Sequence, residues 1–298
     1  MRLWSGDGRD AIDPSLRIRS VALAVSDLER SADFYERVLG LAPLVREPDM
    51  ALLGVPGSEP SLELRRLQAS APAPAHASGL YHVAWLHPSR AALADTVRRV
   101  AGARWPFQGA SDHGVSEALY LADPDGLGIE IYADRPRERW QHGADGRGVA
   151  MVSEPLDLDD LLAQSPRGEP AAAVAPGTGV GHVHLKVSDV TRTAAFYRDA
   201  LGFEQTAALP SAAFLAAGGY HHHVGLNSWE SRGAGPAPDG APGLREVLFE
   251  LSDTDQLEAL TRRLEPAAGA PEHELRRATD GAVTLRDPDG QRLRFLER

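Results

Sequence analysis

Eleven histidines occur in the chain, and three of them fall at matched places in a repeated pattern, with a glutamate at a fourth. The segments are GLYHVAW (79–85), ADPDGLGIEIY (122–132), GVGHVHLKV (179–187) and AGGYHHHVGLNSW (217–229). Read as strands, alternate residues share a face. His182, His184 and Lys186 then lie opposite Val183, Leu185 and Val187, and His82 lies opposite Val83 and Trp85. Glu130 and Tyr132 lie opposite Ile129 and Ile131. Counting four residues on from Gly126 gives Glu130, and four on from Gly219 gives His223, with His221 on the same face and His222 directed away. His82, Glu130, His182 and His223 thus form a set of three imidazoles and one carboxylate suited to a divalent first-row metal. Two His and one Glu with open positions is the pattern of non-haem Fe(II), which makes Fe(II) the expected cofactor, with Mn, Zn, Ni or Co as alternatives.

Three further residues are candidates for acid–base work. His113 stands in DHGVSEALYLADPDG, the segment that runs into the Glu130 strand, where a histidine can act as a general acid or base. His221 and Tyr132 share faces with the candidate ligands. Asn227 and Trp229 would border the mouth of any cavity there.

Positioning these groups requires a scaffold, and the chain is built from repeats. IRSVALAVSDLERSADFYERVLGL (18–41) recurs as VGHVHLKVSDVTRTAAFYRDALGF (180–203), and ADPDGLGIEIY (122–132) recurs as RDPDGQRLRFL (286–296). Each half is itself double: an alternating strand, a helix opened by Ser or Asp and further strands, with the whole pattern repeated. The expectation is an α+β fold of four βαβββ modules in tandem duplication, forming two mixed-sheet half-barrel pairs. The domain boundaries would be 16–134 for modules one and two, 135–178 for a Pro/Gly/Ala-rich linker with a short amphipathic piece at LDLDDLLAQ, and 179–298 for modules three and four. In module one the inward positions are Ser20, Ala22 and Ala24. In module four they are Glu246 and Arg294, an expected ion pair, while Glu63 would be exposed or paired with Arg65 or Arg294. The arginines at 98–99 and 262–263 read as solvated helix faces.

Composition narrows the function class. The 298 residues are 43% hydrophobic with no Cys, which excludes a thiolate metal site, an iron–sulfur cluster and a Cys nucleophile. A formal net charge of −11 argues against nucleic acid or anionic membrane as partner. MRLWSGDGRDAIDPS carries no apolar leader, and no run approaches the about 18 apolar residues of a spanning helix, so a cytoplasmic protein is expected.

The four-module plan, the HVHLKVSD-type openings followed by FY, and the DPDG endings resemble the vicinal oxygen chelate superfamily of glyoxalases, extradiol dioxygenases and bleomycin-binding proteins. GLYHVAW, HGVSEALYLADPDGLGIEIYADRPRERW and GYHHHVGLNSW together look most like its two-domain catechol 2,3-dioxygenase-like branch. The resemblance implies extradiol cleavage of a catechol-like ring, with a small aromatic diol and O2 as partners and His113 or His221 taking a proton. It also implies a metal held by modules three and four, which Glu246 and Arg294 cannot supply. Pairing module three (His182, His223) with module two (His82, Glu130) restores a complete set, leaving modules one and four as a metal-free pair. A homodimer through the edge strands is compatible with such sheets.

A coordination count qualifies this expectation. Four protein donors on an octahedral ion leave two positions, enough for a chelating substrate but not for O2 as well. Three leave room for both. The alternatives are therefore a glyoxalase-type isomerase or lyase acting as a Lewis acid, or a binder of a planar aromatic ligand without turnover.

Overall fold

A computed structural model describes residues 11–71, 74, 76–143, 148–165, 168–264 and 275–298. Residues 1–10 of the N-terminal segment considered above lie outside the described residues. Module one comprises β1 (Arg17–Val25), α1 (Leu28–Phe34), β2 (Ala42–Glu47), β3 (Met50–Gly54) and β4 (Pro60–Arg66). Module two comprises β5 (Gly79–His87), α2 (Arg90–Gly102), β6 (Gly109–Asp112), β7 (Ser116–Ala122) and β8 (Gly128–Asp134). A short helix, α3 (Leu158–Ala163), falls in LDLDDLLAQ and buries Leu161. Module three follows as β9 (Gly179–Lys186), α4 (Val190–Ala195), β10 (Glu204–Leu209), β11 (Ala212–Ala216) and β12 (Val224–Asn227). Module four is β13 (Gly243–Leu251), α5 (Thr254–Leu264), β14 (Arg276–Arg277), β15 (Val283–Arg286) and β16 (Arg292–Glu297).

Two mixed eight-stranded sheets result, and each draws on both halves of the chain. One has the order β14-β15-β16-β13-β1-β4-β3-β2 and joins modules four and one; the other, β10-β11-β12-β9-β5-β8-β7-β6, joins modules three and two. Their centres are the antiparallel pairs β1–β13 and β5–β9. The alternation anticipated for the opening strands decides which face is which. Val21, Leu23, Val25, Val83, Trp85, Val183 and Leu185 belong to one continuous core with the helices. Their neighbours in sequence face the other way.

The repeated motifs also bind each half together. Asp27 and Asp189 cap α1 and α4 by accepting the amides of Arg30 and Arg192 at 3.1 and 3.0 Å. The Tyr of each FY pair donates to the first Asp of the DPDG turn in the following module, Tyr35 to Asp123 at 3.3 Å and Tyr197 to Asp287 at 3.2 Å. Each of those carboxylates also accepts two turn amides, which closes the turn. Helix α1 continues through a wider turn to Leu39 and stops at Gly40, whose φ of 85° is left-handed.

Arg99 departs from the solvated face expected of it. It is buried, donates to the Leu39 carbonyl at 2.8 Å and to linker carbonyls at Ala171 and Ala173, and lies where a Cβ on Gly40 would sit. Arg263 does the same for Leu201 in the other half. The carbonyls left unpaired at a helix end draw these guanidiniums inward.

Candidate metal centre

Three neighbouring strands of the second sheet bring the candidate ligands together. His82 comes from β5, His182 from the antiparallel β9, and Glu130 from β8, which runs parallel to β5 with Glu130 opposite Ala84. The donor atoms of His82, Glu130 and His182 all lie within 4.8 Å of one another, and all three side chains are buried. Among the described residues this is the group of metal-capable side chains that converges so closely. Nε2 of His182 donates to Glu130 Oε2 at 3.2 Å. Nε2 of His82 lies 3.0 Å from the same oxygen but out of line for a hydrogen bond, so it is buried without a partner. Two imidazole nitrogens aimed at one carboxylate oxygen, one of them orphaned, fit the donor set of a divalent cation.

The electrostatics agree with that chemistry. Burial pushes the Glu130 carboxyl up, but His182 and His82 outweigh it and hold it well below its ordinary value. Burial pushes His182 down to about 4, against the pull of Glu130. The site therefore presents a carboxylate and a neutral imidazole at neutral pH, the forms a metal takes.

The fourth expected ligand, His223, is placed elsewhere. Its amide and carbonyl are tied to β11 and β9, its Nδ1 accepts the Ala217 amide at 3.2 Å, and it is not among the residues lining the cavity. Burial pushes it down to about 3, which keeps that nitrogen an acceptor. Counting four residues from Gly219 holds only for a turn of the same length as DPDG. Residues 220–223 are irregular, and the closing strand starts only at Val224. In register, Gly225 lies opposite His184, as Glu130 lies opposite Ala84. The residue of module three that matches Glu130 is therefore Gly225, which carries no donor.

A cavity of about 1250 Å³ opens on the triad and is lined by His184, His222, Tyr120, His113 and Trp229, among others. His222, expected to face away, is on its wall with its ring 4.0 Å from that of His182. His184 packs its ring over Gly225, and its Nε2 is buried without a hydrogen-bond partner. Trp229 is half-exposed at the mouth beside Tyr81, while Asn227 is buried and accepts the Trp229 amide.

The three acid–base candidates separate. His113 lines the cavity. Its Nδ1–H donates to the Val152 carbonyl at 2.7 Å, which leaves Nε2 to accept from the Tyr120 hydroxyl at 2.7 Å. Tyr120 faces the His82 ring across 5.8 Å, and burial, followed by the Glu130 charge, raises its hydroxyl. His221 and Tyr132 do not line the cavity. Tyr132 is fully buried, hydrogen-bonded to the Tyr220 hydroxyl at 2.8 Å, in space that exists only because residue 181 is glycine. His221 sits behind His222, between it and Asp134.

In the other sheet the equivalent positions hold Ser20, Glu63, Glu246 and Arg294. Glu63 pairs with Arg65 at 2.6 Å, and Glu246 lies 3.8 Å from Arg294.

Comparison with known proteins agrees with this architecture. The Glyoxalase/Bleomycin resistance protein/Dioxygenase superfamily profile matches residues 17–131 and 179–295. The chain is 37% identical over 281 residues to a catechol-2,3-dioxygenase of Bacillus subtilis (strain 168), an alignment covering 93% of this chain and 96% of that one. A crystal structure from Bacillus subtilis subsp. subtilis str. 168 superposes with a TM-score of 0.66 at 15% identity, over 96% of this chain and 86% of its own. Glyoxalase I from Zea mays superposes with a TM-score of 0.58 at 16% identity, over 95% and 92%. At those identities the two structures bear on the fold alone. With both halves matched by the profile and a relative aligned along nearly its whole length, the chain belongs to the Glyoxalase/Bleomycin resistance protein/Dioxygenase superfamily.

Proposed function

We propose that the protein is an extradiol ring-cleaving dioxygenase that acts on a catechol-like aromatic with Fe(II) held by His82, Glu130 and His182. The observation that carries this reading is Gly225. With no donor at the fourth module position, the protein offers two histidines and one carboxylate, which leaves three positions on a six-coordinate ion. An ion held there would keep room for a substrate with two vicinal oxygens and for O2 together. A four-donor set, as a Lewis-acid isomerase or lyase of this fold would use, needs a donor where Gly225 stands, and among the described residues the group that converges is His82, Glu130 and His182. The curated relative, named a catechol-2,3-dioxygenase, points the same way.

Bound at this triad, Fe(II) supplies Lewis-acid activation of the two hydroxyl oxygens and a path for electrons from the ring to O2. The chain supplies the rest. Glu130 sets the charge of the site, and the buried positions of all three side chains at the base of the cavity limit the access of bulk water. A hydroxyl proton has a route out through Tyr120: its oxygen accepts the proton while its own passes to Nε2 of His113, which the Val152 carbonyl holds in the accepting tautomer. On the opposite wall, His222 presents a ring to the same space.

The test is oxygen uptake by anaerobically Fe(II)-loaded protein on addition of catechol, with the visible spectrum followed. One O2 consumed per catechol with a yellow ring-fission product supports the reading. A loaded protein that binds catechol but takes up no O2 overturns it.

A further inference from the structure

We propose that Asp134 and His221 form a hydrogen-bond relay behind the cavity that fixes His222 in the tautomer whose bare Nε2 faces the substrate. The inference rests on the reading of this cavity as the dioxygenase site, and it assigns Asp134 and His221 as positioning residues for His222.

Between uncharged imidazoles the chain of bonds has one consistent direction. Asp134, the last residue of β8, offers a carboxylate oxygen 2.9 Å from Nε2 of His221. A carboxylate accepts, so that nitrogen carries the hydrogen. The Tyr220 hydroxyl donates to the same oxygen at 3.3 Å, and Tyr132 meets Tyr220 at 2.8 Å, so hydroxyl groups reinforce the accepting role of Asp134. With its single hydrogen at Nε2, an uncharged His221 ring has only a lone pair at Nδ1. That atom is 2.8 Å from Nδ1 of His222, so the hydrogen between the two rings belongs to His222. Nε2 of His222 is then bare. His222 lines the cavity beside His182, which puts an acceptor, not a donor, on the wall facing the substrate hydroxyls.

The packing holds this order in place. His221 is fully buried, with ring centroids 4.0 Å from Tyr220, 5.4 Å from Trp140 and 6.0 Å from Tyr132. Its backbone carbonyl accepts from Thr206 Oγ1 at 2.6 Å. These contacts fix the plane of the ring, and its bonds to Asp134 and His222 fix which nitrogen faces which. Without the Asp134 carboxylate, the direction of the bond between the two histidines would have no such constraint. If reversed, it would leave His222 with Nε2–H toward the substrate and no lone pair to receive a proton. A carboxylate that sets a histidine tautomer from behind governs activity out of proportion to its distance, because the wrong tautomer leaves geometry intact and chemistry absent.

Two substitutions at His221 separate relay from packing. His221→Gln offers an amide N–H to Asp134 and a carbonyl oxygen to Nδ1–H of His222, and so preserves the direction of both bonds. His221→Leu fills the space and severs them. Long-range 1H–15N spectra of the full chain labelled at histidine, both metal-free and loaded with diamagnetic Zn2+, read the tautomer directly, with His222→Asn used to assign the signals. The expected result is Nδ1–H with bare Nε2 at His222 in the wild type and in His221→Gln. In Asp134→Asn, an amide nitrogen turned toward His221 reverses the order. In steady state with Fe(II), His221→Leu and Asp134→Asn lower kcat by about 10²–10⁴-fold with KM changed less than kcat, and His221→Gln recovers most of the loss. Nε2–H at His222 in the wild type, or equal kcat losses for His221→Gln and His221→Leu, would overturn the relay. If the wild type shows no ring cleavage, the functional reading falls while the spectra still decide the tautomer.

Discussion

Gly225 in module three stands where Glu130 stands in module two. Each lies on the closing strand, opposite the second inward residue of its module's opening strand, His184 and Ala84 respectively. That one exchange converts a fourfold donor arrangement into three donors, and the space is taken by the His184 ring. A Cβ at Gly225 would approach His184 Cγ to 2.9 Å. Gly225→Ala is therefore expected to displace His184 within the cavity and to cost about 1–3 kcal/mol, the usual range for overpacking. Urea midpoints at constant m check it.

Gly181 makes room for Tyr132 in a stricter way. A Cβ there would lie 1.8 Å from the tyrosine oxygen and 2.9 Å from Leu86 Cβ. Gly181→Ala is expected to destabilise by at least about 3 kcal/mol, beyond ordinary overpacking. In a double-mutant cycle Tyr132→Phe should recover part of that loss, with coupling of about 1 kcal/mol or more. Additive losses would mean that the two side chains do not compete for this space.

His87 gives a pH signature remote from the triad. It is buried, donates from Nδ1 to the Trp85 carbonyl and accepts at Nε2 from Thr96. Burial pushes it down to about 4, with Arg99 adding to the effect against the backbone carbonyls. The unfolded chain therefore binds a proton that the folded chain refuses between pH 6.5 and 4. The His87 contribution is complete above pH 6.5 and is lost as pH falls toward 4, by roughly 3 kcal/mol. The stability difference between wild type and His87→Gln should fall with this slope in denaturant titrations at pH 7.5 and 4.5. A difference independent of pH would contradict it.

The His113–Tyr120 pair is predicted to serve turnover and not metal retention. Tyr120→Phe and His113→Ala should each lower kcat by about 10²-fold or more while the protein keeps its metal. Because the pair acts through one hydrogen bond, the double variant should be little worse than either single one. Additive losses would separate the two roles.

Much of this was legible in the residues because strand alternation is a rigid rule. The opening strands fixed His82 and His182 on one face, and the DPDG turn, its length set by Asp123 accepting two amides, fixed Glu130. Modules two and three carry the inward histidines, and they share one sheet. The rule fails where the chain leaves the strand. In residues 220–223 no ladder imposes a period of two, so His222 enters the cavity and His223 does not. Alternation assigns the face of Tyr132, but its hydroxyl partner, Tyr220, is fixed by tertiary packing alone. The docking of the Met151–Ser153 stretch against the cavity, which orients His113, likewise leaves no local mark in composition.

If His82, Glu130 and His182 alone hold the metal, as proposed, metal content shows it most directly. Equilibrium dialysis against Fe(II) under anaerobic conditions, followed by elemental analysis, should find one ion per chain in the wild type and in His223→Ala. His82→Ala, Glu130→Ala and His182→Ala should each lose most of it. Loss in His223→Ala equal to that in His182→Ala, with the fold retained by circular dichroism, would contradict the three-donor site and restore a fourth ligand.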